Sequence, residues 1–263
     1  MNGESTMSFW EHLDVLRGVL LRCASLAAVC AVVAFACGEA LFDFVLAPAH
    51  DNFLIYRLFG MFSADNDNFH IALINTGLAR QFLAHVTVAG YVGLIAASPY
   101  IVYALLRFVE PALYRRERRY AFWAVGGGYA MFLIGAAVSY LLIFPLTFRF
   151  LGTYQVSAEV PNFITLDSYL DTLTMLCLLM GVMFELPIVA VVLARLGLLN
   201  ALQMRRLRRH AIVGILVATA IITPSGDIFT LCVTGLPIIL LYELSIRLVA
   251  RAALQNEIIH STN

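Results

Sequence analysis

Six apolar stretches separated by short polar connections constrain this chain more than any other feature. They are Val19 to Leu46, Gln81 to Phe108, Tyr120 to Phe144, Leu173 to Leu198, Ala211 to Thr223 and Ile228 to Val249. The first four are longer than the roughly 20 residues a helix needs to cross ~30 Å of hydrocarbon. The fifth runs only from 211 to 223, about 20 Å of helix at ~1.5 Å per residue, so thinned bilayer or a turn dipping below the surface is expected there. With 61% hydrophobic and 13% charged residues and a mean hydropathy of +0.86, most of the chain must be solvated by lipid. The expectation is an all-α membrane protein with six transmembrane helices.

Orientation follows from the basic residues, which are all arginine. Placing the N-terminus inside leaves only Arg57, Arg80 and Arg149 outside, and the other 14 of the 17 face the cytoplasm. The positive-inside rule then sets both termini in the cytoplasm. A cleaved signal peptide ending at Ala34-Phe35-Ala36 fits poorly, because the preceding flank is long and carries Glu4, Glu11 and Asp14. Cys23, Cys30, Cys37, Cys177 and Cys232 all fall within apolar stretches, which argues for small packing residues over a disulfide framework or soft-metal ligands. There is no internal repeat or flexible linker, so residues 1–263 are expected to form a single membrane domain.

Outside the spans, Phe53 to Phe62 suits a short interfacial helix, and Asp65-Asn-Asp-Asn68 a solvated turn. The segment from Pro145 to Asp171 reads as irregular with a helix starting near Leu166, and Asp227 is placed to cap the last helix. No zinc-binding His pair, nucleophile elbow or phosphate loop occurs, and no lysine is present for a Ser/Lys dyad. Catalysis, a cofactor and a metal are therefore not expected.

The charges that lipid penalises carry the functional signal. Glu185 falls near the middle of the fourth stretch, where an ionised carboxylate costs several kcal/mol unless paired or hydrated. It is either functional or a protonated group bonded to the Met183 carbonyl, which Pro187 deprives of its helical donor. Glu243 is followed at i+4 by Arg247, which suits an ordinary helix-face ion pair. Gly126-Gly-Gly128 suits close helix approach, and His85 a hydrogen-bonded interior position. Between the second and third stretches, Arg115, Arg116, Arg118 and Arg119 suit anionic head groups. Glu117 among them is either neutralised by these neighbours or a binding group.

Four motifs in order give the chain a family resemblance. They are His12-Leu-Asp-Val-Leu-Arg17, then Ser98-Pro-Tyr-Ile-Val-Tyr103 leading to Phe108-Val-Glu-Pro-Ala-Leu-Tyr-Arg-Arg-Glu-Arg-Arg119, then Gly181-Val-Met-Phe-Glu-Leu-Pro187, and Thr223-Pro-Ser-Gly-Asp227. Together they resemble the TatC subunit of twin-arginine protein translocases, over about Ser8 to Arg251. The resemblance implies a glove-shaped, six-helix bundle in the bacterial inner membrane. In it Glu117 and Arg119, with the N-terminal segment, read the paired arginines of a folded cargo's signal peptide. It also implies that Glu185 and Thr223 dock single-span TatA/TatB-type subunits, in an oligomer surrounded by lipids and without nucleic acid. One departure stands out: the acid common before the first span is Val15 here, with Asp14 and Glu11 nearby, so Glu11, Asp14 and Arg17 are the N-terminal candidates. The alternative from another class is a secondary transporter using Glu185, whose signature of repeated halves with broken spans is not found.

Overall fold

The computed structural model describes residues 9–50, 53–56, 73–109, 118–155, 157, 162–195, 197–223 and 226–261. Nine α-helices are among them: α1 (Phe9–Ala36), α2 (Gly38–Leu46), α3 (Arg80–Val109), α4 (Arg118–Val138), α5 (Phe144–Thr153), α6 (Leu166–Phe184), α7 (Leu186–Arg195), α8 (Ala201–Ile222) and α9 (Ile228–Ser261). Five helical runs are long and apolar enough to cross a membrane: Leu13–Ala36, Arg80–Ala104, Gly126–Thr153, Leu166–Arg195 and Ile228–Ala252. Leu20, Leu21, Val29, Val32 and Val33 of α1 are exposed, as expected for side chains solvated by acyl chains.

The helices differ from the sequence expectation in four places. The first stretch is not one helix: it breaks at Cys37, and α2 restarts at Gly38. The third continues through a π-helical turn, Ser139–Ile143, into α5, so Pro145 to Thr153 is helical where irregular chain was expected. Proline near the start of α5 is compatible with that, since the first turn of a helix has N–H groups to spare. The fourth run begins at Leu166, as expected, where the Thr165 side chain accepts a hydrogen bond from the Ser168 N–H at 3.2 Å, but it is interrupted at Glu185, between α6 and α7. The fifth, α8, extends ten residues before Ala211 through an Asn200/Gln203 capping box, so its apolar part stays short while its first half is arginine-rich. Asp227 does cap α9, accepting from the Thr230 N–H at 2.7 Å. Of the interfacial helix, only 54–56 are described as helical, and Asp65 to Asn68 lie outside the described residues.

The fully buried core gathers where α4 and α5 meet α6, around Tyr169, Phe144, Phe148, Leu176 and Met180. Gly135 and Gly181 make it possible. A Cβ at Gly135 would strike the Met180 carbonyl and come 2.8 Å from Phe184 Cγ, and one at Gly181 would come 2.7 Å from the Phe132 ring. Three tyrosine hydroxyls then tie the helix ends to this core. Tyr169 donates to the Val45 carbonyl at 2.9 Å, Tyr140 to that of Phe44 at 2.5 Å, and Tyr56 lies 3.0 Å from the Pro48 and 3.1 Å from the Pro145 carbonyl. A two-residue parallel pairing, Leu73 with Ile164 and Ile74 with Thr165, joins the chain entering α3 to the chain entering α6. The Arg80–Asp167 ion pair, at 3.1 Å, reinforces the same junction.

Candidate functional site

The arginines sort by helix end. The start of α1, the end of α3, the start of α4, the end of α7, the first half of α8 and the second half of α9 carry most of them, whereas Arg80 and Arg149 lie at the start of α3 and in α5. Helices α1 and α3 run antiparallel, since Ala31 meets Gly93, Phe35 meets Phe82 and His85, and Gly38 meets His85. Continuing that register for about 17 residues, or ~25 Å, places Asp14 and Arg17 level with the last turn of α3, the end from which the loop carrying Glu117 departs. Asp14 and Arg17 are exposed there. Glu117 lies outside the described residues, and Glu11 and Arg119 are described as helical positions without their side chains.

Glu185 sits at the break between α6 and α7. Its backbone N–H bonds back to the Val182 carbonyl at 3.1 Å, and its own carbonyl accepts from Ile188 and Val189, both at 3.0 Å. Pro187 has no N–H to continue the ladder, so the helix is interrupted beside the carboxyl. The side chain is half-buried, and its buried Oε1 has no hydrogen-bond partner among the described residues. It faces α4, where a Cβ at Gly128 would lie 2.9 Å from Oε2, while one at Gly127 would lie 3.5 Å from Ile188 Cδ1. Within the glycine run only Gly128 is closely approached, and its neighbour is a carboxyl group; an added Cβ at Gly126 would meet nothing within 4 Å. Three consecutive glycines in a helix interior each cost about 1 kcal/mol relative to alanine, which makes the space they leave conspicuous.

Thr223 closes α8 and is 4% exposed. Its hydroxyl donates to the Thr219 carbonyl at 2.9 Å, turned onto its own helix. Thr219, Thr230 and Thr234 are also buried around the α8–α9 connection, with the Thr230 hydroxyl donating to Asp227 at 2.6 Å and the Thr234 hydroxyl unpartnered. The structure therefore places Thr223 among polar groups at the end of the bundle opposite the arginine-rich one, and does not bring it to Glu185. The buried threonines at 219, 230 and 234 escaped the sequence reading because a lone threonine in an apolar run carries no periodic signal.

Two local expectations are corrected. Glu243 pairs with Arg208 of α8 through both carboxylate oxygens, because α8 reaches further toward the arginine-rich end than its apolar length suggested. Tyr242 adds a bond from its hydroxyl to the Met204 carbonyl at 3.0 Å, so α8 and α9 are joined twice at that end. Arg208→Glu and Glu243→Arg are each expected to lower the melting temperature in detergent, and the swapped double variant to recover most of it. A double variant no better than the singles would show that the pair contributes nothing. His85, for its part, stacks its ring on Phe35 at 4.0 Å beneath Gly38, and its buried Nε2 has no hydrogen-bond partner among the described residues. Among the described residues, no group of three or more His, Cys, Asp or Glu is placed to hold a metal ion, and the five cysteines are free.

Helices long and apolar enough to cross hydrocarbon, an arginine-rich end and a half-buried acid beside a helix break define a multi-pass membrane protein. Comparison with known proteins identifies the family. Residues 11–237 match the family model for the Sec-independent protein translocase protein TatC. The TatC protein of Koribacter versatilis is 33% identical over 240 residues, covering 91% of this chain and 84% of the relative. That of Deinococcus radiodurans is 32% identical over 238 residues, 90% and 83% of the two chains. That of a Blattabacterium is 29% identical over 255 residues, 93% and 96%. A crystal structure of the twin-arginine translocase receptor TatC superposes with a TM-score of 0.76 at 30% identity, covering 92% of this chain and 100% of that one. The chain belongs to the TatC family, and is a component of the Sec-independent, twin-arginine protein translocase.

Proposed function

We propose that this chain is the receptor of the translocase, a non-enzymatic inner-membrane protein that reads the paired arginines of a signal peptide and assembles single-span partners around itself. The observation that carries the reading is the matching of the chain along 92% of its length to a protein described as a twin-arginine translocase receptor. Residues 1–263 act as one domain, with the apolar half of α8 as a sixth, short span, both termini in the cytoplasm, and a concave, glove-like surface.

At the cytoplasmic end, Glu117 supplies one carboxylate, and Asp14 or Glu11 the second, in place of the acid that Val15 displaces. Arg119 and Arg17 shape the same surface. Guanidinium forks match carboxylates in a bidentate fashion that ammonium groups do not, which favours arginine over lysine in the cargo. Glu185 and Thr223 serve partner docking, at different depths and on separate helices. Oligomers and lipid contacts complete the assembly.

The direct test uses native membranes and a signal peptide with a photoreactive group beside its arginine pair. Crosslinking to this chain, lost when the pair becomes two alanines, supports the receptor reading; equal capture of both peptides rejects it. Orientation is tested separately. In a cysteine-free background, a cysteine at Ser63 is expected to react with an impermeant reagent from outside and one at Leu207 only after the membrane is opened. The reverse pattern overturns the topology.

A further inference from the structure

We propose that the recess where α7, α8 and α9 meet, at the arginine-rich end, is a binding site for the head group of an anionic phospholipid. Two runs able to cross a membrane, Leu166–Arg195 and Ile228–Ala252, both end at this recess, which sets it at the depth of the lipid phosphates. Neither cargo reading nor partner docking is involved.

The recess follows from the way the chain turns between α7 and α8. Helix α7 ends through Gly197 at a φ of 72°, with the Gly197 and Leu198 N–H groups donating to the Ala194 and Leu193 carbonyls, both at 3.0 Å. Helix α8 then starts almost at once from its Asn200 cap. A volume of about 280 Å³ remains between the helices because its walls are small: Ala194, Gly197, Ala201 and Ala252, with Val249 beside them. That room suits a glycerophosphate group.

Charge and polarity select the ligand. Arg195 lines the recess, Arg205 follows the lining residue Ala201 by one turn of α8, and Arg251 adjoins Ala252 on α9. Arg205 and Arg251 are exposed, and neither has a carboxylate partner among the described residues. Glu243 is the one acid among the described side chains of these three helices, and Arg208 already holds it. The Asn200 side chain accepts from the Leu202 N–H at 3.1 Å, so the start of α8 is capped, and recognition falls to guanidinium forks that match phosphate oxygens. Leu198 and Leu202, which flank the lining residues Leu199 to Ala201, are exposed. Water penalises such side chains and acyl chains do not, so the surface fits an anionic head with apolar tails rather than a free phosphate or an acidic protein segment.

The purified full chain in neutral detergent is titrated with phosphatidylglycerol and, separately, with phosphatidylcholine, and bound lipid is counted by native mass spectrometry. One phosphatidylglycerol is expected to bind about tenfold more tightly than phosphatidylcholine, the size of effect of one charge-assisted hydrogen bond. Arg251→Gln should lose most of that preference, whereas Arg107→Gln, an exposed arginine at the end of α3, should keep it. Ala194→Leu keeps every charge but fills the recess, and should weaken phosphatidylglycerol binding by a similar factor. Excess inorganic phosphate should not displace the lipid. Equal binding of the two lipids, or an undiminished preference in Arg251→Gln, overturns the site. A loss in Arg107→Gln as large as in Arg251→Gln would make the preference a matter of general surface charge, and full binding in Ala194→Leu would place the lipid elsewhere; either result overturns it. Displacement by inorganic phosphate at a concentration equal to that of the lipid would show a free-anion site and overturn the lipid assignment.

Discussion

Glu117→Gln is expected to weaken binding of a twin-arginine peptide by about 10- to 150-fold, while the protein inserts and accumulates as before. The amide keeps the shape of the side chain but removes the negative charge. What is lost is a charge-assisted hydrogen bond to a guanidinium, worth roughly 1.5–3 kcal/mol. Four arginines within two residues on either side of Glu117 raise the local positive potential. Without the carboxylate, that potential repels the cargo, so the loss should fall toward the upper end at low salt and shrink as salt screens it. Titration with a fluorescent peptide at two ionic strengths measures both. Asp14→Asn and Glu11→Gln, made separately, identify the second acid by which one adds to the Glu117 effect. Binding unchanged in Glu117→Gln would remove it from the receptor site.

The spans were legible because lipid imposes a simple rule, that every backbone group be satisfied within a helix some 20 residues long. The rule says little about where a helix breaks inside an apolar run. Cys37-Gly38 and Glu185 both interrupt stretches that read as continuous: the first lies against a tertiary neighbour, His85 beneath Gly38, and the second follows from Pro187, which ends the hydrogen-bond ladder beside it. The helix ends hidden in polar sequence were equally hard to see. Helix α8 begins at Ala201 because Asn200 and Gln203 cap it, well before its apolar part, and this extension carries Arg208 to Glu243. A pairing at i+4 was the nearest one visible in the sequence; the one formed spans 35 positions.

Site residues were legible to different degrees for the same reason. Glu185 stood out because an acid in hydrocarbon is rare, whereas Gly128 drew notice only as one of three small residues, and its pairing with that acid needed the third dimension. Thr223 was found through a motif, and the buried threonines near it were not: Thr219 bonds its own helix, Thr230 the Asp227 cap, and Thr234 is buried without a partner among the described residues, none of which leaves a periodic trace in the sequence.

Gly135→Val is expected to have the largest structural effect of any single change considered, and to abolish peptide capture and partner contact together. At this position α4 crosses α6 with no room for a side chain: the first obstacle is the Met180 carbonyl, followed by the Phe184 ring at 2.8 Å. A ring can turn aside, but backbone cannot, so the two helices must part. Overpacking a close-packed interior commonly costs about 1–3 kcal/mol, and separating these helices adds the loss of contacts around Met180, Leu176 and Phe144, all fully buried. Gly90→Ala is the matched control. It lies on an exposed part of α3 with nothing within 4 Å of an added Cβ, and alanine is the better helix former, so stability should hold or rise slightly. Thermal unfolding of the purified chain in detergent compares the two, and peptide capture in membranes shows whether function follows. The joint loss distinguishes this variant from those at the sites: Glu117→Gln should affect only the peptide and Glu185→Ala only the partner, whereas parting α4 from α6 displaces Phe184 and Glu185 and, beyond them along α4, the start of that helix next to Glu117. A Gly135→Val chain that melts with the wild type would mean that α4 and α6 do not cross as closely as this packing requires.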